Sequence, residues 1–360
     1  MAKTKGLCEI CSPKQWKTIS TDMLTDGGYP VYGANGVIGC YSEYNHEEPT
    51  LLVTCRGATC GTLNICEPYS YVNGNAMALD NLTDEVDIKY LYYYLLNRGF
   101  EDVITGSAQP QIVRQSLQKV NVTYPDKERQ AEIVTVLERV SELIALRKEQ
   151  LAKLDQLVKS RFIELFGDGE SPIETVEELC TAIVDCPHTT PKYEGELKNP
   201  AIRTAEIKKG YIAWETMRYV SDEEYEERIA RLKPEEGDIV YGREGTFGNA
   251  AILPSGYNFC LGQRVMLLRP DYSKCTSEYL LHAVISDDVY RQAIEKNNAS
   301  TVAHVNVKDV KQFKIPLPSF DKQNQFAAFV EQTDKSKLAI QQSLDKLELL
   351  KKSLMQEYFG

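Results

Sequence analysis

The sequence lacks several features that mark common classes of protein. Among its 360 residues, no apolar run approaches the roughly 18 residues of a membrane-spanning helix. The opening stretch MAKTKGLCEICSPKQW contains no apolar core of a signal peptide. With 42% hydrophobic and 26% charged residues, the composition is that of a globular protein and excludes a disordered tail or a fibre. We therefore expect a cytoplasmic protein of two or three domains, with no membrane contact.

Metal-ligand patterns are also scarce. The four histidines show no spacing of the H-E-x-x-H type; they are His46, His188, His282 and His304. Of the ten cysteines, Cys8 and Cys11 form one C-x-x-C pair, but the second pair that a zinc ribbon requires is missing. Because no secretory signal is present, we expect the cysteines to be reduced and mostly buried, and we expect no metal site.

Sequence motifs of catalysis are missing as well. The chain contains neither a G-x-S-x-G elbow nor a G-x-x-x-x-G-K-[ST] phosphate loop. The glycine-rich stretch 33–39 lacks the G-x-G-x-x-G order of a cofactor loop, so we interpret it as hairpin turns. Pro125 and Pro270 each precede an aspartate, a slight similarity to metal-dependent nucleases that arises often by chance. We therefore expect a chain that is not an enzyme and binds no cofactor.

Positive charge is in deficit. The net charge is −11 at pH 7 and the isoelectric point is about 5.1. Proteins that hold nucleic acid alone are usually basic, because neutralised phosphates supply most of the non-specific affinity. Any nucleic-acid contact must therefore be local, or shared with a more basic partner.

The chain does contain an internal duplication. Residues 160–167 read SRFIELFG, and residues 353–360 read SLMQEYFG. The same offset aligns Gln130 with Gln323. It also aligns Pro125 with Pro318, and each proline closes a strand-like run, VNVTYP or FKIPLP. The chain therefore contains two copies of one structural unit.

A long helix is predicted after each of these prolines. In the first copy, apolar residues recur every three or four positions, which is typical of a coiled-coil seam; they are Ile133, Leu137, Val140, Ile144, Leu151, Leu154, Val158 and Leu165, with Arg147 at the missing step. The second copy follows the same register through Phe326, Val330, Ile340, Leu344, Leu347, Leu354 and Tyr358. A helix lying on its own domain is the simpler alternative. Two equally long helices are better explained by antiparallel pairing with each other.

These patterns predict an α+β fold with a pseudo-twofold internal repeat. We assign residues 1–125 to a first mixed α/β domain and residues 126–167 to a spacer helix. Residues 168–322 then form a second mixed α/β domain, and residues 323–360 form a second spacer helix. The two domains are separated by the antiparallel coiled coil of the spacer helices.

Each predicted domain carries an arginine in a turn bounded by glycines. The stretch 54–61 reads TCRGATCG and the stretch 241–248 reads YGREGTFG, which aligns Arg56 with Arg243 and places Thr59 and Thr246 nearby. An arginine in such a turn can clamp phosphate or read guanine with two hydrogen bonds, and glycine permits close approach of the backbone. An arginine paired with an acidic side chain at a hairpin is the structural alternative for both copies.

Further polar residues precede strand-like runs. Asn75 aligns with Arg264, next to Gln263, and amide or guanidinium groups can pair with base edges; a simple turn explains either position equally well. A polar loop also precedes the last strand of each domain, and it carries Ser107, Gln109 and Gln111 in the first copy and Ser300 and His304 in the second.

Together these motifs resemble the DNA-specificity subunits of type I restriction and modification systems. The motifs are YPVYGANG at 29–36, TCRGATCG at 54–61, GSAQPQI at 106–112, and the paired runs 120–133 and 313–326. The resemblance covers nearly the whole chain. There are two departures: few residues precede the first domain, and Thr333 and Lys337 interrupt the second helical seam.

The resemblance implies a non-catalytic DNA reader. Each domain would be a target-recognition domain for one half of a split, asymmetric site in double-stranded DNA, and the paired helices would set the gap and dock two DNA methyltransferase subunits. Those partners would use S-adenosylmethionine, and a restriction and translocase subunit with ATP and magnesium would join in some systems. Our candidate DNA contacts are Arg56, Thr59, Asn75, Ser107, Gln109 and Gln111 in the first domain, and Arg243, Thr246, Gln263, Arg264, Ser300 and His304 in the second.

Two other functions remain open at this point. A coiled-coil scaffold would use the helices to recruit partners and the globular domains to bind protein or RNA. A self-sufficient nuclease would require magnesium-dependent activity from the purified chain alone.

Overall fold

A computed structural model describes residues 2–106, 109–167, 169–194, 198–245, 248–296 and 304–360. The chain divides into two compact units. Unit 1 comprises Met1–Glu149 and Gln341–Gly360, and unit 2 comprises Gln150–Ile340. Each unit therefore contains one globular part together with a segment of both long helices.

The globular part of unit 1 is built from short strands and helices. Its strands are β1 (Lys3–Gly6), β2 (Ser12–Gln15), β3 (Tyr29–Gly33), β4 (Gly36–Tyr41), β5 (Leu51–Thr54), β6 (Leu63–Ile65), β7 (Tyr71–Val72), β8 (Ala76–Asp80) and β9 (Asn121–Tyr124). Its helices are α1 (Leu7–Ile10), a 3-10 turn (Thr21–Met23), α2 (Ile88–Arg98) and α3 (Arg114–Leu117), after which the long helix α4 (Lys127–Phe166) begins.

Unit 2 repeats this plan with insertions. Its strands are β10 (Ile173–Thr175), β11 (Cys180–Asp185), β12 (Asn199–Ile202), β13 (Arg218–Val220), β14 (Ile239–Gly242), β15 (Ala250–Ile252), β16 (Cys260–Leu261), β17 (Val265–Pro270) and β18 (Lys314–Pro316). Its helices are α5 (Asp222–Ile229), α6 (Ser277–Val284), α7 (Asp287–Lys296) and α8 (Val307–Lys311), followed by the long helix α9 (Phe320–Phe359).

The sheets of the two units share one topology. A four-stranded sheet has the order β2-β8-β5-β6 in unit 1 and β11-β17-β14-β15 in unit 2. A three-stranded sheet has the order β4-β3-β7 in unit 1 and β13-β12-β16 in unit 2. Each unit also has a two-stranded ribbon, β1-β9 or β10-β18, whose second strand lies just before the long helix in sequence. The predicted mixed α/β fold and internal repeat are confirmed.

Both faces of each four-stranded sheet are covered, which explains its composition. In β5, Leu51 and Val53 belong to the core that contains helix α2, whereas Leu52 belongs to a core formed with the three-stranded sheet. Strand β14 divides its side chains in the same way between two cores. Because neither face meets water, these strands are apolar throughout instead of alternating.

The segments of the long helices run antiparallel within each unit. In unit 1, Lys148 lies 2.8 Å from Glu348, and the guanidinium of Arg129 lies over the ring of Tyr358. In unit 2, Lys337 lies 2.6 Å from Asp155, and the rings of Phe166 and Phe326 are 5.4 Å apart. Helix α9 continues through the interruptions expected at Thr333 and Lys337.

A buried glutamine joins each long helix to its globular part. The side chain of Gln130 donates to the carbonyls of Glu85 (2.9 Å) and Pro125 (2.8 Å) and accepts from the backbone N–H of Asp87 (2.8 Å). The side chain of Gln323 donates to the carbonyls of Lys274 (3.1 Å) and Pro318 (2.9 Å) and accepts from the N–H of Thr276 (2.9 Å). Both glutamines are fully buried. Asp87 and Thr276 are the N-caps of α2 and α6, so the glutamine ties the long helix to the start of another helix.

All ten cysteines are free thiols, and burial raises the pKa of Cys11 and of Cys275 to about 12, so both are protonated at neutral pH. Over the part of the chain that the structure describes, no helix is both long and apolar enough to cross a membrane.

We expect Gln130→Leu to lower the free energy of unfolding of unit 1 by about 3 to 5 kcal/mol, because three buried backbone groups lose their partner. The two tryptophans allow each unit to be followed separately, since Trp16 lies in unit 1 and Trp214 in unit 2. Urea unfolding of a Trp214→Phe background therefore reports unit 1. The exposed Gln342→Leu, on the segment of α9 that belongs to unit 1, is the control and should change the free energy by less than about 0.5 kcal/mol; an equally small effect of Gln130→Leu would contradict the anchoring role.

The stability of unit 2 should depend on pH through His282. Burial against Phe326 and Phe162, and then the nearby charge of Lys337, lower its pKa from 6.5 to about 4. Between these values the unfolded chain binds a proton that the folded chain does not, so the free energy of unfolding falls as the pH falls, by about 2 kcal/mol. We expect His282→Phe to remove this part of the dependence in urea unfolding between pH 6.5 and 4. His188→Gln, at a mostly exposed side chain, is the control.

Candidate nucleic-acid interface

Three segments of unit 1 meet at one end of the four-stranded sheet. Strand β5 ends at Thr54, which pairs with Ala76 at the start of β8. Just beyond this pair, the N–H of Cys55 donates to the carbonyl of Asn75 (3.1 Å). Arg56 then forms an isolated bridge with Gln111. We call Arg56, Asn75 and Gln111 the first edge.

The backbone of the first edge is held while its side chains are exposed. The N–H of Gly57 donates to the carbonyl of Pro110, and the N–H of Ile112 donates to the carbonyl of Cys55, both at 3.0 Å. The side chains of Arg56, Asn75 and Gln111 are exposed. Within the described ranges, Arg56 forms no ion pair. A fixed backbone that presents a guanidinium and two amides suits hydrogen bonding to an external ligand.

Other predicted residues lie beside this edge. Gln109 is exposed, next to Pro110. Thr59 is half-buried in the turn that Gly57 and Gly61 permit through φ angles of 89° and 95°. Ser107, Thr246 and Ser300 fall outside the residues that the structure describes.

Unit 2 builds the same end from different side chains. Glu244 forms an isolated bridge with His304, and the N–H of Arg243 donates to the carbonyl of Arg264 at 2.9 Å. The carboxylate of Glu244 lies 3.0 Å from Nε of Arg264 and 3.4 Å from Nδ1 of His304. We call Glu244, Arg264 and His304 the second edge. Gln263, also predicted, is half-buried and donates to the hydroxyl of Thr190 at 2.8 Å.

The strand register corrects one sequence-based equivalence. Gly242 pairs with Val265 at the start of β17, as Thr54 pairs with Ala76 at the start of β8. Cys55 is therefore equivalent to Arg243, and Arg56 is equivalent to Glu244. The alignment of Arg56 with Arg243 was wrong by one residue, because the turn after β14 is one residue shorter: the N–H of Gly248 donates to Gly242, where the N–H of Gly61 donates to Thr54.

This shift of one residue places the two arginines in opposite environments, since successive side chains of an extended strand point to opposite sides. Arg56 is exposed, but Arg243 is 6% exposed and forms an ion pair with Asp185 at 2.8 Å. At the equivalent place in unit 1, Gln15 donates to the thiol sulfur of buried Cys55 at 2.9 Å. Arg243 therefore fits the alternative stated in the sequence analysis, an arginine paired with an acidic side chain.

Asn75 and Arg264 are equivalent, as the sequence alignment predicts. The strands that precede them pair alike, with Asn73 donating to the carbonyl of Tyr32 (2.9 Å) and Gly262 donating to that of Ile202 (2.7 Å). Both side chains are exposed. The position therefore presents a neutral amide in unit 1 and a cation in unit 2.

Sequence reasoning missed a fourth segment at each edge. Gln15 ends β2 and Thr18 follows it, beside the first edge. A Cβ added at Gly74 would lie 2.4 Å from the hydroxyl of Thr18. Thr190 and the exposed His188 follow β11 in unit 2. Glu244 was also missed, because Arg243 was assigned its place. The pairing of β2 with β8 reveals this segment, and nothing local in the sequence indicates it.

The described residues contain no group of three or more histidine, cysteine, aspartate or glutamate side chains arranged to hold a metal ion. The side chains at both edges are hydrogen-bond donors and acceptors on a surface. Groups of this kind can pair with base edges or with other planar polar groups.

The chain is similar to proteins of one family. The model of the type I restriction modification DNA specificity domain matches residues 1–156 and 192–350. A Haemophilus influenzae protein named as a type I restriction enzyme specificity subunit is 22% identical over 94% of this chain and 91% of its own length. The specificity subunit of the EcoBI enzyme of Escherichia coli is 24% identical over 85% of this chain and 68% of its own length.

Solved structures show the same fold. The S subunit of a type I restriction and modification system from M. genitalium superposes with a TM-score of 0.62 and 16% identity, covering 100% of this chain and 96% of that one. A chain from a study of the assembly of a type I system gives a TM-score of 0.57 and 15% identity, covering 99% and 97%. Because the family model matches most of the sequence, the chain belongs to the DNA-specificity subunits of type I restriction and modification systems.

Proposed function

We propose that this chain reads a bipartite, asymmetric target in double-stranded DNA and directs partner methyltransferase subunits to it. One observation carries the proposal: structurally equivalent positions in the two units bear different side chains. The first edge has Arg56, Asn75 and Gln111, whereas the second has Glu244, Arg264 and His304. The same scaffold therefore presents two different sets of donors and acceptors.

The chemistry of these side chains supports direct readout of bases. Arginine pairs with the O6 and N7 atoms of guanine, and asparagine or glutamine pairs with the N6 and N7 atoms of adenine. Two edges that differ at every position would select different base sequences, which makes the two halves of the target unequal. We assign no catalytic step and no cofactor to this chain.

The acidic charge of the chain supports DNA binding in a complex with partner subunits. With a net charge of −11, the chain supplies little of the phosphate neutralisation that DNA binding needs. We propose that two methyltransferase subunits supply it and bring S-adenosylmethionine. A restriction and translocase subunit, where the system has one, would bring the ATP and magnesium chemistry.

The proposed DNA contacts are the exposed residues of the two edges together with further residues that the sequence singles out. In unit 1 they are the first edge with Thr59, Gln109 and Ser107; in unit 2 they are the second edge with Gln263, Thr246 and Ser300. Arg243 is withdrawn from the set because its guanidinium is buried against Asp185.

Mapping of methylated bases in the host genome tests the function. We expect a split motif, methylated in the wild-type strain, to lose its methylation when this gene is deleted and to regain it when the gene is restored. Unchanged methylation, together with failure of the chain to co-purify with the neighbouring methyltransferase, would contradict the proposal and favour the scaffold function.

The two arginines that the sequence aligns should behave differently when replaced by alanine. Arg56→Ala should weaken binding to the cognate site by about 1 to 3 kcal/mol and relax base preference in one half-site only, with unit 1 still folded. Arg243→Ala should instead destabilise unit 2 by about 3 kcal/mol, because Asp185 loses its partner in a largely buried pair. Competition binding with variant DNA sites and urea unfolding distinguish the two effects. Loss of unit 1 stability in Arg56→Ala, with base preference retained, would contradict the assignment.

A further inference from the structure

The second edge holds an arginine in an unusual backbone conformation. Arg264 has a φ of +63°, in the left-handed region that residues other than glycine rarely adopt. The surroundings hold it there. Its carbonyl accepts from the N–H of Arg243, the next residue opens β17, and a Cβ added at the neighbouring Gly262 would lie 2.6 Å from the carbonyl oxygen of Ile202. Such conformations persist where the structure fixes them, and they cluster at sites of ligand contact.

The side chain of Arg264 is oriented by one of its nitrogens. Nε lies 3.0 Å from a carboxylate oxygen of Glu244, while the side chain remains 61% exposed. The other oxygen of Glu244 faces Nδ1 of His304 at 3.4 Å, so Glu244 is held from two sides. Across the described residues, neither terminal nitrogen of Arg264 donates a hydrogen bond. The guanidinium is thus positioned with its two terminal nitrogens available to a ligand.

We infer that Arg264 reads a guanine in the half-site bound by unit 2, and that Glu244 is the residue that positions it. This inference rests on the function proposed above. Two parallel N–H donors match the adjacent O6 and N7 acceptors of guanine, whereas adenine presents a donor at N6 in place of one acceptor. A guanidinium held by an ion pair at Nε leaves both terminal donors for that pair.

Phosphate is the competing ligand, since arginine also forms paired hydrogen bonds with phosphate. Two observations favour the base. The carboxylate of Glu244, 3.0 Å from Arg264, would repel a phosphate but not an uncharged base edge. The equivalent position in unit 1 holds Asn75, a neutral amide of the kind that pairs with bases.

The test is selection of bound sequences from a randomised double-stranded DNA library by the full chain, alone and co-purified with its methyltransferase subunit. The variants are Arg264→Ala, Arg264→Lys and Glu244→Gln. The control is Arg231→Ala, which removes another exposed arginine of unit 2 that forms no ion pair with the described residues. Thermal unfolding of each variant shows whether unit 2 is intact.

We expect the wild-type motif to contain a guanine that Arg264→Ala no longer prefers, with discrimination at that position reduced roughly tenfold to a hundredfold. Arg264→Lys should keep the charge and much of the overall affinity but lose the same preference, because an ammonium lacks the planar pair of donors. The other half-site and the Arg231→Ala control should be unchanged.

Glu244→Gln separates positioning from folding. We expect a weaker guanine preference together with equal or stronger binding to DNA that lacks the guanine, because a negative charge beside the DNA is removed. A merely structural role would lower the unfolding temperature and leave the base preference of the folded protein unchanged, which would overturn the positioning role.

Four other results would be decisive. A uniform loss of affinity for all sequences in Arg264→Ala would identify phosphate as the ligand and overturn the inference. Loss of preference at an A·T position would overturn the assignment to guanine. If the wild-type chain selects no split motif, alone or in the complex, the proposed function itself fails, whereas a split motif that Arg264→Ala leaves unaltered refutes only the inference.

Discussion

A buried glutamine amide is the constraint on which each unit of this protein depends. Gln130 and Gln323 satisfy three backbone groups each, from the strand end, the loop and the cap of a neighbouring helix. An amide is suited to this place because it donates twice and accepts at the same time, without the cost of burying a charge. The entry angle of each long helix is thus fixed relative to its own globular part, and the same three contacts recur in both copies.

Above this anchor, the two units keep their backbone pairing and change their side chains. Thr54 and Gly242 end equivalent strands, but the buried position that follows holds Cys55 beside Gln15 in one unit and Arg243 beside Asp185 in the other. A neutral pair and an ion pair therefore fill the same internal site. The exposed position beyond it changes from Arg56 to Glu244. The side chains at the buried and at the exposed position both differ between the units, while the order of the strands in the sheet is the same.

The sequence was sufficient for what depends on period and repetition. The two helices could be predicted from the spacing of apolar residues. The duplication and the equivalence of the two glutamines could be predicted from a constant offset between the copies. The equivalence of Arg56 and Arg243 failed because a turn shortened by one residue leaves the motif recognisable but exchanges the faces of the strand. Glu244 and the segment after β2 were missed because their place at the edge depends on pairing between distant strands, which a single sequence does not record.

The closing segment of the chain has a consequence for synthesis. Met355 lies in the core of unit 1, and the ring of Phe359 contacts Tyr90 and Tyr94 of α2. The globular part of unit 1 is therefore separated from the segment that completes its core by the whole of unit 2, Gln150–Ile340, which is continuous in sequence. While unit 2 is being translated, unit 1 exposes the apolar surface that residues 341–360 later cover, and such transient exposure favours aggregation.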